Sequence, residues 1–128
     1  MLPATHSLSL ASLLALCLAA PGASAKPRQN KALSHAYEVI STISSHARAV
    51  RTELRFARRH GDRVRVQCLS GKLSELHAQQ RQANARHAEL VLALERGNRD
   101  KVRQSRVVLA SLQNRARELS RQAQRCGV

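Results

Sequence analysis

Apolar side chains recur along this chain in steps of alternately three and four residues, in three successive blocks. The middle block runs Val66, Leu69, Leu73, Leu76, Gln80, Ala83, His87, Leu90 and Leu94. The first runs Leu33, Ala36, Ile40, Ile43, Ala47, Val50, Leu54 and Ala57, and the third Val102, Ser105, Leu109, Leu112, Ala116, Leu119, Ala123 and Cys126. A repeat averaging about 3.5 residues keeps each block on one helix face and turns that face toward partner helices in a left-handed coil. The blocks predict helices over about 31–60, 64–96 and 99–126. His60-Gly61-Asp62 and Gly97-Asn98 separate them. Gly takes the left-handed conformation that ends a helix, and Asp or Asn caps the next. Connections this short make neighbours antiparallel. The expected fold is all-α, an elongated antiparallel three-helix bundle of coiled-coil-like hairpins. A long hairpin that oligomerises is the alternative.

Some local features strain this pattern. Lys26-Pro27-Arg28-Gln29 reads as a polar leader, with Asn30 capping the first helix. Arg63-Val64-Arg65-Val66-Gln67-Cys68 alternates with period two, as a strand would, and Gly71 falls inside the second helical block. Glycine there costs about 1 kcal/mol against alanine. The second helix is therefore expected to have an irregular entry, becoming regular near Ser70. Gln80, Ala83 and His87 thin the middle seam and read as a polar layer that fixes register. A small polar cavity is the rival reading.

The three blocks all lie after residue 25. Leu8–Ala20 is an uncharged apolar run, followed by Pro21-Gly22 and Ala23-Ser24-Ala25, an A-x-A cleavage signal. Residues 1–25 therefore read as a secretory signal peptide, although no Lys or Arg precedes the run. A run of this length is short of the roughly 20 residues a spanning helix needs. Cys17 follows Leu16 where a lipid-attachment site has a small residue, so it reads as part of the apolar run. The expected product is an exported chain, periplasmic or secreted, with one domain over 26–128.

Charge changes the picture most. The chain carries 22 Lys and Arg against 8 Asp and Glu, a net +14, and all of these lie after residue 25. Arg48, Arg51, Arg55 and Arg58 form a ladder beside the first seam, and Arg99, Arg103 and Arg106 repeat it at the start of the third helix. Such ladders suit an anionic envelope component, a polyanion or an anionic membrane surface. A solvated helix face, or an Arg-rich codon bias, writes the same pattern. The chain has one Tyr, one Phe and no Trp, which leaves nothing to stack on bases and speaks against sequence-specific nucleic-acid binding.

Two cysteines remain after residue 25. Folded antiparallel about Gly97, Cys68 and Cys126 fall at the same level, and in an exported chain they read as a disulfide. A redox-active or metal-binding thiol pair is the rival reading, which the lack of a C-x-x-C disfavours. Cys126 lies in its seam whereas Cys68 lies one residue off its own. A rotation at the irregular entry would reconcile them. The stretch Asp62-x-Val64-x-x-x-Cys68-Leu69-x-x-Lys72-Leu73, with Cys126-Gly127 at the end, resembles a pattern in bacterial secreted helical proteins of unassigned function. The resemblance implies a helical secreted chain and carries no activity.

Catalytic and cofactor chemistry finds little footing. Antiparallel pairing about Gly61 sets His35 level with His87, and His46 level with His77, pairs that could hold zinc or copper. There is no E-x-x-H, C-x-x-C-H or Gly-rich phosphate loop, and the acids stand singly beside arginines. The reading is a non-enzymatic exported protein without cofactor, binding or scaffolding at the envelope through its Arg-rich faces, with self-association open. A holdase-type periplasmic chaperone is the alternative, and a metal-binding or enzymatic protein the third reading.

Overall fold

A computed structural model describes residues 25–128. The expected signal segment, all but Ala25, and Cys17 lie outside the described residues. The chain forms three helices, α1 (Ala25–Arg59), α2 (Arg63–Glu95) and α3 (Arg99–Gln124). At 1.5 Å per residue they are roughly 50, 50 and 40 Å long. All three pack on one another around a single core. Side-chain pairs give the directions. Tyr37 meets His87 and Ser44 meets Gln80, so α1 and α2 are antiparallel. Cys68 meets Cys126 and Glu75 meets Arg115, so α2 and α3 are antiparallel too. The expected three-helix bundle is the observed one.

The turns follow the residue chemistry. Gly61 and Gly97 have φ of 69° and 64°, the left-handed region that glycine enters without steric cost. Asp62 Oδ1 accepts the Arg65 backbone N–H at 2.9 Å, and Asn98 Oδ1 accepts that of Lys101 at 3.1 Å. Each cap satisfies one donor that the first helical turn leaves unpaired.

Two expectations at helix starts are corrected. Lys26–Gln29 is not a leader and Asn30 is not a cap, because α1 is already helical at Ala25. Pro27 falls within the first turn, where its missing N–H has no intrahelical acceptor to lose and its fixed φ suits a helix. The irregular entry to the second helix is also absent. α2 is helical from Arg63, the Asp62 cap holding its first turn. Gly71 points into open space, with nothing within 4 Å of where a Cβ would stand.

The seams are buried nearly as spaced. Leu69, Leu76, Ala83 and Leu90, seven residues apart, are the innermost row of α2, and Val66, Leu73, Gln80, His87 and Leu94 form a half-buried row beside them. On α3 the row Ser105, Leu109, Leu112, Ala116, Leu119, Ala123 is buried, as is Cys126 in the turn that follows, and Val102 at its start is half-buried. On α1 the row holds from Ile43 to Ala57, but toward the N-terminus Val39 and Ala32 are buried in place of Ile40 and Leu33. A step of four on both sides of Ile43 follows the 3.6-residue period of a straight helix there, not the 3.5 of a coil. One result is that small Ala32 faces inward at the Gly97 end of the bundle.

Cys68 and Cys126 are joined, with Cα atoms 5.8 Å apart. The rotation that brings them together comes from α3 and not α2. Helix α3 stops at Gln124, so Cys126 sits in a turn that closes at Gly127, φ 83°. A Cβ on Gly127 would lie 3.4 Å from that of Arg65, so the end of the chain crosses the first turn of α2 one turn before Cys68.

Two measurements check this account. Reduction, or Cys126→Ser, is expected to lower stability by about 4 kcal/mol on the chain-entropy relation for a loop this long, read as a fall in melting temperature. Gly71→Ala is expected to raise stability by about 1 kcal/mol, read as a higher denaturant midpoint with unchanged m-value.

Candidate anion-binding surface

The inward rows decide where every other side chain on α1 goes. A residue just before a row position faces α3, and one just after it faces α2. On the α2 side, the Tyr37 ring lies 4.7 Å from that of His87, Ser44 Oγ accepts from Gln80 Nε2 at 2.9 Å, and Arg51 Nη2 lies 3.3 Å from His77 Nε2. A guanidinium only donates, so His77 Nε2 is the acceptor in that contact. On the α3 side, Thr42 Oγ1 accepts from Gln113 Nε2 at 3.5 Å, and His46 lies under the influence of Arg117. His35 shares a small cavity with Arg103 and Arg106.

These positions separate the histidine pairs. His35 and His46 face α3, while His87 and His77 face α1 from the other side. Levels matched and faces did not; for His35 and His87 the seam positions already differ, since His87 lies on its seam and His35 does not. Among the described residues no group of three or more His, Cys, Asp or Glu converges on a common point. The polar layer takes the form of the Ser44–Gln80 and Tyr37–His87 pairs. His87 Nε2 is buried there without a hydrogen-bond partner.

Arg48, Arg51, Arg55 and Arg58 are exposed along the α2-facing flank of α1. Among the described residues none of them forms an ion pair, although Glu53 lies between them in sequence. Glu53 lies just before a row position, so it turns to the α3 flank, where Arg65 from the first turn of α2 reaches it beside Ser120 and Gln124, Nη2 at 2.6 Å. Glu75 likewise turns from His77 toward Lys72 and Arg115, at 3.3 and 2.8 Å. Burial raises the Glu75 pKa, but hydrogen bonds from Lys72 and Arg115 outweigh this and hold it below the usual carboxylate range. Hydrogen bonds from Arg121 and Gln122 lower that of Glu118. Glu53, Glu75 and Glu118 are thus committed to basic side chains outside the α1 ladder. Arg55 Nη2 reaches only the Thr52 hydroxyl, at 3.4 Å.

The second ladder sits differently. Thr42 and Gln113 are 71 residues apart, and the parallel run of α1 and α3 keeps that separation for His46 and Arg117, His35 and Arg106, and Arg28 and Arg99. Arg99, Arg103 and Arg106 are brought together with Arg28 around one cavity. Arg103 pairs with Asp100 at 2.5 Å, and the other three have no carboxylate partner among the described residues. Sequence reading missed Arg28 because it placed that residue in a leader. The 71-residue offset was the signal, and it becomes readable only once α1 starts at Ala25.

Comparison with family models, curated proteins and solved structures finds no match to this chain.

His46 supplies the pH dependence. Partial burial first, and then the Arg117 charge, lower its pKa from the ordinary 6.5. The unfolded chain therefore binds the proton more readily than the folded one. Folded stability has its full value above the ordinary pKa and declines as pH falls from there to the lowered one. Arg117→Gln is expected to move the His46 midpoint upward without restoring the ordinary value, since burial is the larger cause. NMR titration of the ring checks this.

Proposed function

We propose that this is an exported, non-enzymatic protein that binds an anionic component of the cell envelope, such as an anionic membrane surface, through the arginine rows of α1 and α3. The observation that carries the reading is the α1 row, Arg48, Arg51, Arg55 and Arg58, exposed and free of carboxylates among the described residues. Elsewhere Arg65, Arg86, Arg103, Arg115, Arg121 and Arg125 are ion-paired. Other arginines are unpaired too among the described residues, so the α1 row is set apart by four unpaired guanidiniums in line on one flank. A surface serving solubility alone needs no such separation, because interspersed charges of both signs serve it. Four guanidiniums stepping along about two helical turns present a line of donors that anionic oxygens can accept from in pairs.

Two further features support the setting. The Cys68–Cys126 bridge suits an oxidising compartment. Among the described residues no helix is long and apolar enough to cross a membrane, so contact with a bilayer would be made at its surface.

Binding to vesicles rich in phosphatidylglycerol tests the reading. A basic residue near an anionic surface contributes roughly 1 kcal/mol, so replacing Arg48, Arg51, Arg55 and Arg58 by Gln is expected to weaken low-salt binding roughly a hundredfold or more. Helicity should hardly change, because all four lie outside the core. Wild-type binding should fall as salt rises. Equal binding by both proteins, or binding indifferent to salt in both, rejects the reading.

A further inference from the structure

The Gly97 end of the bundle is not closed. Leu94 and Val102, the last and first seam residues of α2 and α3, stay half-buried there. Facing them, α1 presents Ala32, because its row has shifted by one residue and Leu33 packs half-buried at the side of the core. The shortfall leaves an open cavity of about 690 Å³. Its floor is apolar, formed by Ala32, Ala93, Leu94 and Val102, and its rim carries Arg28, Arg99, Arg103 and Arg106. No acid lines it. The volume falls within the roughly 300–1,000 Å³ of small-molecule sites.

We propose that this cavity binds a single-chain amphiphile with a phosphate head, the alkyl chain on the apolar floor and the head among the arginines. The proposal rests on the reading that the α3 arginines meet an anion, and adds to it an individual ligand with an apolar part. Charge decides between occupants. A second copy of this chain would bring its own +14 to a rim that is already basic. Residues 1–25 hold apolar side chains but no Asp or Glu to meet the guanidiniums. A phosphate head answers both parts of the site, since arginine forks match phosphate oxygens in pairs. Beyond this, the cavity opens beside the first turn of α3, whose end carries positive partial charge.

Calorimetric titration of the purified protein with dodecyl phosphate below its micelle concentration tests this, with inorganic phosphate and dodecyl maltoside as the two controls. The expected result is saturable one-to-one binding of dodecyl phosphate and at least tenfold weaker binding of either control. Replacing Arg99 and Arg106 by Gln should weaken it roughly tenfold or more. Ala32→Leu, which fills the floor from within a helix, should weaken it comparably while keeping the helical spectrum. Substitution of Arg48, Arg51, Arg55 and Arg58 by Gln should leave it unchanged, so failure here is separable from failure of the surface-binding reading. Inorganic phosphate binding as tightly as the amphiphile would overturn the proposal. So would equal affinity for the neutral detergent, or full binding by Ala32→Leu. Dimerisation abolished by Ala32→Leu, or a crosslink from residues 1–24 into the empty cavity, would assign the site to another occupant and overturn it as well.

Discussion

Burial of Leu69, Leu76 and Leu90 on α2 against Ile43 on α1 and Leu109 and Leu119 on α3 is the interaction from which the other features derive. These are the largest fully buried side chains, with Val39, Val50, Leu54 and Leu112 beside them, and much of the remainder is alanine. With so little apolar area, each helix has one orientation that removes it from water. Fixing that orientation fixes the flanks. His46 is held toward α3 and Arg51 toward α2 because Ala47 and Val50 between them must point inward. The distribution of charge over the surface is therefore a by-product of packing as much as of composition.

The same constraint explains what could be read in advance. The helix number, both turns, nearly all the α2 and α3 rows and the Cys68–Cys126 level follow from spacing alone, because a helix converts spacing into direction. Spacing failed where a helix departs from the coil period. The shift to Ala32 and Val39 is a rotation of α1 that sequence periodicity, with Ile40 and Leu33 equally apolar, had no means to prefer. The strand-like Arg63–Cys68 misled because local alternation was weighed against a long helix that propagates through it once Asp62 caps the start. The histidine pairs failed for a related reason. Matching levels about a turn supplies height along the axis and no information on azimuth.

The candidate site was half legible. Both ladders stood out in the sequence, but not what would neutralise them. Glu53 stands two residues from both Arg51 and Arg55 in sequence and is bonded to Arg65 of α2. Arg28 joined the α3 ladder only through the parallel stacking of α1 and α3, a non-local relation between residues 71 apart in sequence. Ion pairs between exposed groups contribute little stability singly. Their value here is positional, since they set which arginines remain available.

The bridge has a mechanical consequence. Cys68–Cys126 and the Gly97 turn together make α2 and α3 a covalent ring, while α1 is attached to it only through Gly61. The attachment point lies at the bridged end, and the N-terminal turns of α1 lie beside Gly97. Tension applied at the N-terminal side would therefore lift α1 from the ring turn by turn, beginning with the turns around Ala32 that border the cavity. The ring would stay shut, and α1 would behave as a strip peeled from a closed frame and able to lie down again in the same register.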